Sequence, residues 1–436
     1  MVQYNNLNLM ELAERKEIIK LINSEVVPAI GCTEPIAVAL CVAKATEILG
    51  TRPEKINVKL SANMLKNAMG VGIPGTGMVG LPIAIALGAL IGKSEYQLEV
   101  LKDCTPAAVE NGKAYIAEKR ISIEHKDTTE KLYIEVLCSA GNETATAIIA
   151  GIHTNFILLK KNNDVIMEKA LESKAVAEED GLKLTLKKVY EFATTAPLDE
   201  LRFILESANL NGNVSKESMK GHYGHESGRL IAQSDRSAKV LGNSIYTHIL
   251  AETSAACDAR MAGAMFPVMS NSGSGNQGIS ATMPVVVFAR DNGNSEEEYI
   301  RALVMSHLTV IYIKQSLGRL SALCGCVVAA TGSSCGVTML MGGGYEQICS
   351  AVKNMVGNIS GMLCDGAKPS CALKVTSGVS SAVLAALLAM EGKCVSAMEG
   401  IVDDDVDQTI RNLTRIGRDG MNETDRVVLD IMTHKK

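Results

Sequence analysis

From about residue 208 onward the chain almost stops alternating apolar and polar residues, and Ala, Gly and Ser crowd into apolar runs instead. A half-buried strand needs a period of two, so this stretch is restricted to helices such as Tyr299–Leu320 and Gly378–Met390. Aromatic residues are 3 % and Trp is absent, so the cores must be built from Ala, Val, Ile, Leu and Met. The first half reads differently. Lys55–Leu60 (KINVKL) and Lys131–Leu137 (KLYIEVL) alternate as strands do, and Thr144–Leu159 and Asp164–Glu168 extend the pattern. Ser173–Ser207 is charged, has a helical period, and is expected to cross between domains. The fold expected is α+β. A mixed α/β domain over 1–195 is followed by a mostly helical domain over 196–436.

Several function classes are excluded early. The net charge of −5 calls for neither nucleic acid nor an anionic membrane as partner, and base-stacking platforms are scarce. The longest apolar run, roughly Gly80–Gly92, falls short of the ~18–20 residues that span a bilayer. The start, MVQYNNLNLMELAERKEIIK, lacks the basic and apolar regions of a signal peptide, so a cytoplasmic location is expected. Twelve cysteines in that compartment point to a metal, a cluster or catalysis and not to a disulfide framework. A homodimer is the assembly allowed for.

Five tracts carry chemistry. In PAIGCTEP, Thr33 and Pro35 suit the start of a helix running towards Gly50. Cys32 then sits at its positive end, where exposed N–H groups and the dipole favour a thiolate; a small buried Cys is the plain alternative. GVGIPGTG (Gly70–Gly77) contains G-x-G-x-x-G, but Ser61–Met69 intervenes where a strand should lead in, so a loop capping the next helix fits better than a dinucleotide site. In DARMAGAMFPVMSNSGSGNQG (Asp258–Gly278), hydroxyls, amides and backbone N–H groups lie between apolar runs, and Arg260 adds a fixed charge. Such a loop suits a carboxylate or phosphate. LCGCVVAATG and MLCDGAKPSCALK hold Cys324, Cys326, Cys364 and Cys371 at spacings unlike a zinc ribbon or a ferredoxin. Three thiolates from separate loops suit a cluster with one open iron; buried packing is the alternative. His222 and His225 of GHYGHE are three apart, a weak metal pair.

PAIGCTEP, KNAMGVGIPGTGMVGLPIA, DARMAGAMFPVMSNSGSGNQGI, LCGCVVAATG and CDGAKPSCALK together resemble the L-cysteine desulfidases and their uncharacterised bacterial relatives. These in turn are similar to the α chain of iron–sulfur L-serine dehydratases, a likeness concentrated in the C-terminal half. The resemblance implies a carbon–sulfur lyase of amino-acid catabolism: L-cysteine gives sulfide and an enamine, which hydrolyses to pyruvate and ammonia. It implies a [4Fe–4S] cluster on Cys324, Cys364 and Cys371, with Cys326 not excluded, and Cys32 as the base. A small amino-acid substrate would meet Arg260, Asn271, Ser272, Ser274 and Asn276. No pyridoxal-phosphate signature is evident, although Lys368 or Lys374 could form a Schiff base. L-Serine dehydratase, a non-catalytic binder and a nicotinamide oxidoreductase are the rival expectations.

Overall fold

The computed structural model describes residues 10–170, 182–318 and 320–435. The fold is α+β: strands gather in the first half and helices fill the second. Two-residue strands β1 (Pro28–Ala29) and β8 (Val268–Met269) pair antiparallel with each other. The other six are β2 (Lys55–Leu60), β3 (Ile121–His125), β4 (Tyr133–Ala140), β5 (Glu143–Ala150), β6 (Phe156–Lys161) and β7 (Asp164–Glu168). They form one sheet in the order β3-β2-β4-β5-β6-β7, in which the β2–β3 pair is parallel and the rest antiparallel. Thr144–Leu159 thus proves to be two strands with a turn between them.

A helix apolar on every face must be covered on more than one side. The Thr33–Leu49 helix is such an element. The sheet packs on it through β4 and β5, and the Leu81–Leu90 helix packs on it as well. Ile56, Val58 and Leu60 of β2 and Ile134, Val136 and Cys138 of β4 point into this core. A second core lies among the helices Ile245–Met261, Gly275–Asn292, Glu296–Leu317, Gly325–Leu340, Tyr345–Ile359 and Cys371–Met390. Its small residues have a steric cause. A Cβ on Gly332 would lie 2.5 Å from the Ser306 carbonyl oxygen, so the crossing helices approach backbone to backbone. Four buried threonine hydroxyls there are satisfied within their own helices: Thr282, Thr309, Thr331 and Thr338 each donate to the carbonyl four residues back.

The chain ends cross between the cores. Ile18 and Ile22 of the Leu12–Glu25 helix belong to the second core, and Leu429 of the Asn422–His434 helix to the first. Residues 173–181 of the charged crossing segment lie outside the described residues; the rest is helical over Leu186–Thr195, Leu198–Leu201 and from Leu205. Gly70–Gly77 follows the Ala62–Ala68 helix and not a strand. Its backbone bonds to the Met261–Gly263 turn (Gly72 N to Met261 O, 3.0 Å; Gly75 N to Gly263 O, 3.3 Å), so the dinucleotide reading is set aside. One described helix, Cys371–Met390, is long and apolar enough to cross a membrane, longer than the Gly80–Gly92 run. It packs against four other helices of the second core.

Candidate active site

The β1–β8 pair brings the first and third tracts together. Ser270 donates to the Val27 carbonyl through N (2.9 Å) and Oγ (2.6 Å), and Ser272 N donates to Glu25 O (2.9 Å). Chain then runs from β1 into Cys32 and from β8 into the SNSGSGN loop, side by side. Gly31 takes φ +70°, and a Cβ there would lie 2.3 Å from Pro74 Cγ, so the turn into Cys32 requires glycine. Cys32 is the N-cap of Thr33–Leu49 but makes no capping hydrogen bond.

A cavity of about 130 Å³ opens here. One water takes about 10–15 Å³ on this measure, so the space suits a molecule of several heavy atoms. Its walls include Cys32, Glu34, His153, Arg260, Ser272, Ser274, Asn276, Gln277 and Lys314, together with Cys324, Cys326, Cys364 and Cys371. Every residue expected at the site lines it except Asn271. That side chain is fully buried and turned away: its Nδ2 donates to His307 Nδ1 and His307 O (both 3.1 Å), and its Oδ1 accepts from Ser272 Oγ (2.8 Å). His307 Nε2 then donates to Thr282 Oγ1 (3.0 Å), whose own proton goes to Gly278 O. Burial pushes the His307 pKa down to about 3, so the imidazole is a neutral brace behind the loop. Asn271 supports Ser272 and does not face a ligand.

Arg260 joins the two loops: Nη1 donates to Asn276 Oδ1 and Nη2 to Gly31 O, each at 3.0 Å. It also donates towards the Cys32 sulfur. The pKa of Cys32 nevertheless runs opposite to the helix-dipole expectation. Burial pushes the thiol up to about 12; Arg260 opposes this, and the nearby Glu34 charge adds to it. Desolvation outweighs the helix terminus here because the residue is 2 % exposed.

The cysteines of the fourth tract converge. An antiparallel bridge, Leu323 to Leu363, sets Cys324 beside Cys364, with Cys324 N to Met362 O at 3.0 Å and Cys364 N to Ala322 O at 2.7 Å. Cys371 opens the Cys371–Met390 helix. The Cys326 thiol and N–H donate to the Cys324 sulfur, holding its pKa low against burial and raising that of Cys326 itself. Both thiols line the cavity, so Cys326 stands beside Cys324 as a neighbouring sulfur. Burial raises Cys364 and Cys371, while Lys66, Lys368 and Lys374 pull towards the thiolates. No three His, Cys, Asp or Glu side chains among the described residues are grouped tightly enough for a single ion. A cube of iron and sulfide holds its ligands farther apart than one ion does, so three cysteines around one wall, amid lysines, fit a cluster of net negative charge.

The two weaker alternatives, a histidine metal pair and a Schiff-base lysine, gain no support. His222 is exposed and pairs with Glu226 (2.9 Å), and no metal-holding group among the described residues includes His222 or His225. Burial lowers the pKa of Lys374, but the hydrogen bond and charge of Asp365 outweigh that and raise it, which favours the ammonium over the free amine. Lys368 Nζ is likewise engaged, with Asp365 O and Gly366 O at 3.0 Å. Glu34, His153, Gln277 and Lys314 were not singled out as site residues. Glu34 and Gln277 stand inside tracts already marked, whereas His153, in the β5–β6 turn, and Lys314, in the last turn of the Glu296–Leu317 helix, carry no local pattern.

The serine dehydratase alpha chain family model matches residues 95–430, and the chain belongs to that family. The match includes Arg260 and the cysteines of the fourth tract; Cys32 and Glu34 precede it. Similarity over the full length runs to proteins named UPF0597. One from Bacteroides fragilis is 70 % identical over 427 residues, covering 98 % of this chain and all of the relative. One from Bacteroides thetaiotaomicron is 68 % identical, covering 97 % and 99 %. One from Oleidesulfovibrio alaskensis is 48 % identical, also covering 97 % and 99 %.

Proposed function

We infer that the chain is an iron–sulfur-dependent lyase that eliminates sulfide from L-cysteine. The observation that carries this is the sharing of one small cavity by Cys324, Cys364 and Cys371 with Cys32 and Arg260. Cys324, Cys364 and Cys371 would hold a [4Fe–4S] cluster, which when bound supplies a Lewis acid for the departing sulfur. The remaining work falls to the chain. Arg260 and the Ser272–Asn276 loop offer N–H and O–H donors for the substrate carboxylate. Cys32 stands where it can take the α-proton. It rests as a thiol and must first lose its own proton, a change that the adjacent Arg260 guanidinium favours. Loss of hydrogen sulfide from cysteine leaves 2-aminoacrylate; adding one water to that enamine, through its imine, gives pyruvate and ammonia. Twelve free cysteines and such a cluster suit a reducing cytoplasm.

The family match favours a second reading, elimination of water from L-serine. Thiol and hydroxyl differ by one atom, which an apolar pocket discriminates weakly, whereas a thiophilic metal favours thiolate departure. The test is anaerobic reconstitution followed by kcat/KM for pyruvate formation from each amino acid. A higher value for cysteine supports the first reading. A higher value for serine replaces it with the second, and turnover of neither favours a binding protein.

A further inference from the structure

We propose that Glu34 is the ammonium-binding residue of this cavity, so that the site takes α-amino acids as zwitterions and rejects the same acids without the amino group. This rests on the reading of the cavity as a small amino-acid site. A zwitterion carries one anion and one cation two bonds apart, and its α-carbon lies between them. The wall offers that arrangement. Arg260 and Lys314 supply positive charge, and Glu34 is the one carboxylate among the described cavity residues. The charges of Arg260 and Glu34 both act on the Cys32 sulfur. Glu34 lies in the first turn of the helix that Cys32 caps, and Arg260 donates to the carbonyl of Gly31 just before Cys32, so a ligand spanning the two passes the thiol.

Glu34 is held in place by two neighbouring side chains. Asn67 Nδ2 donates to its Oε1 and Thr33 Oγ1 to its Oε2, each at 3.3 Å, and both donors are uncharged. An independent pair of atoms points the same way. The Arg260 Nε donor and the Gln277 Oε1 acceptor are buried on this wall, in residues 6 % and 4 % exposed, without a nitrogen or oxygen partner among the described residues. A Cβ on Gly325 would come 3.0 Å from Gln277 Cδ, so that amide is held by close packing against the turn between Cys324 and Cys326. Buried polar atoms are normally paired, and a ligand presenting one acceptor and one donor would pair both. An amino acid does so with its carboxylate and its ammonium. Holding the amine as an ammonium also acidifies the α-C–H, which elimination requires.

The test is calorimetric binding of L-alanine and of propanoate, which differ by the amino group and lack a leaving group, to reconstituted protein and its Glu34→Gln variant. The unsubstituted protein is expected to prefer L-alanine, and the variant to lose that preference by roughly 10- to 100-fold while binding propanoate as before. Equal binding of the two ligands by the unsubstituted protein overturns the proposal, as does a variant that keeps the preference. If the variant misfolds and loses propanoate too, Gln277→Leu must reduce the preference for L-alanine, or the assignment fails. Failure of the lyase reading looks different: no pyruvate from cysteine or serine, with the L-alanine preference intact.

Discussion

At the scale of single residues, two neighbouring cysteines are expected to behave oppositely. Cys324→Ser should abolish iron binding, because a hydroxyl is a poor ligand for iron. Cys326→Ser should keep the iron, since a hydroxyl can replace the thiol as donor to the Cys324 sulfur. Iron and sulfide analysis of the two anaerobically reconstituted variants checks this, and loss of iron from both would make Cys326 a ligand. His307 carries a pH signature. Its pKa is 6.5 ordinarily and about 3 when folded, because the ring is buried. Between those values the unfolded chain takes a proton that the folded chain refuses. The stabilisation is therefore full above about pH 6.5 and is lost as pH falls towards 3. At pH 5 the loss is about 2 kcal/mol. Denaturant unfolding at pH 7 and pH 5 should show it in the native protein, with a smaller difference in His307→Gln. Such residues explain what the sequence could not reveal. Asn271 reads as a ligand contact until its hydrogen bonds to His307, far along the chain, turn it away. Cys32 reads as an activated thiolate because a helix start is visible in sequence and burial is not.

At the scale of elements, helices and strands were legible wherever one period ran uninterrupted. KINVKL forms β2 over the residues its alternation marks, and Asp164–Glu168 forms β7. The hairpin inside Thr144–Leu159 was missed because apolar residues continue through it on both strands, with a turn at 151–155 that no Asn-Gly or Pro-Gly pair announces. The Gly-rich helices were legible as helices, but the reason for their glycines is tertiary. Gly332→Ala should by propensity stabilise its helix by about 1 kcal/mol. Contact with the Ser306 carbonyl reverses the sign, and a net loss of roughly 1–3 kcal/mol is expected. Gly342, with no neighbour within 4 Å but φ +87°, is a poor control, whereas Gly361, open and without positive φ, is a good one: Gly361→Ala should leave the unfolding midpoint within about 0.5 kcal/mol.

Across the whole molecule the two halves were legible as halves, but the ties between them were not. The cavity depends on contacts such as Arg260 to Gly31 and β1 to β8, which join residues more than 200 apart. A further tie is the buried pair of Lys66 and Asp425, in which Asn63 Nδ2 also donates to Asp425 (3.1 Å) and Lys66 Nζ to the Cys364 carbonyl (3.3 Å). It fastens the last helix to the loop of an expected cluster ligand. Asp425→Ala should cost about 3–5 kcal/mol by stranding the Lys66 charge, and a double change with Lys66→Met should recover part of that. Thermal unfolding of the single and double variants checks it; equal stability of all three would show the pair to be idle. The central claim is that Cys32 faces, from outside, a cluster held by Cys324, Cys364 and Cys371. The most direct measurement is pyruvate formation from L-cysteine by anaerobically reconstituted Cys32→Ala, with its iron content determined on the same sample. Full iron with turnover lost is the expected result. Full iron with turnover kept, or loss of the iron, would contradict it.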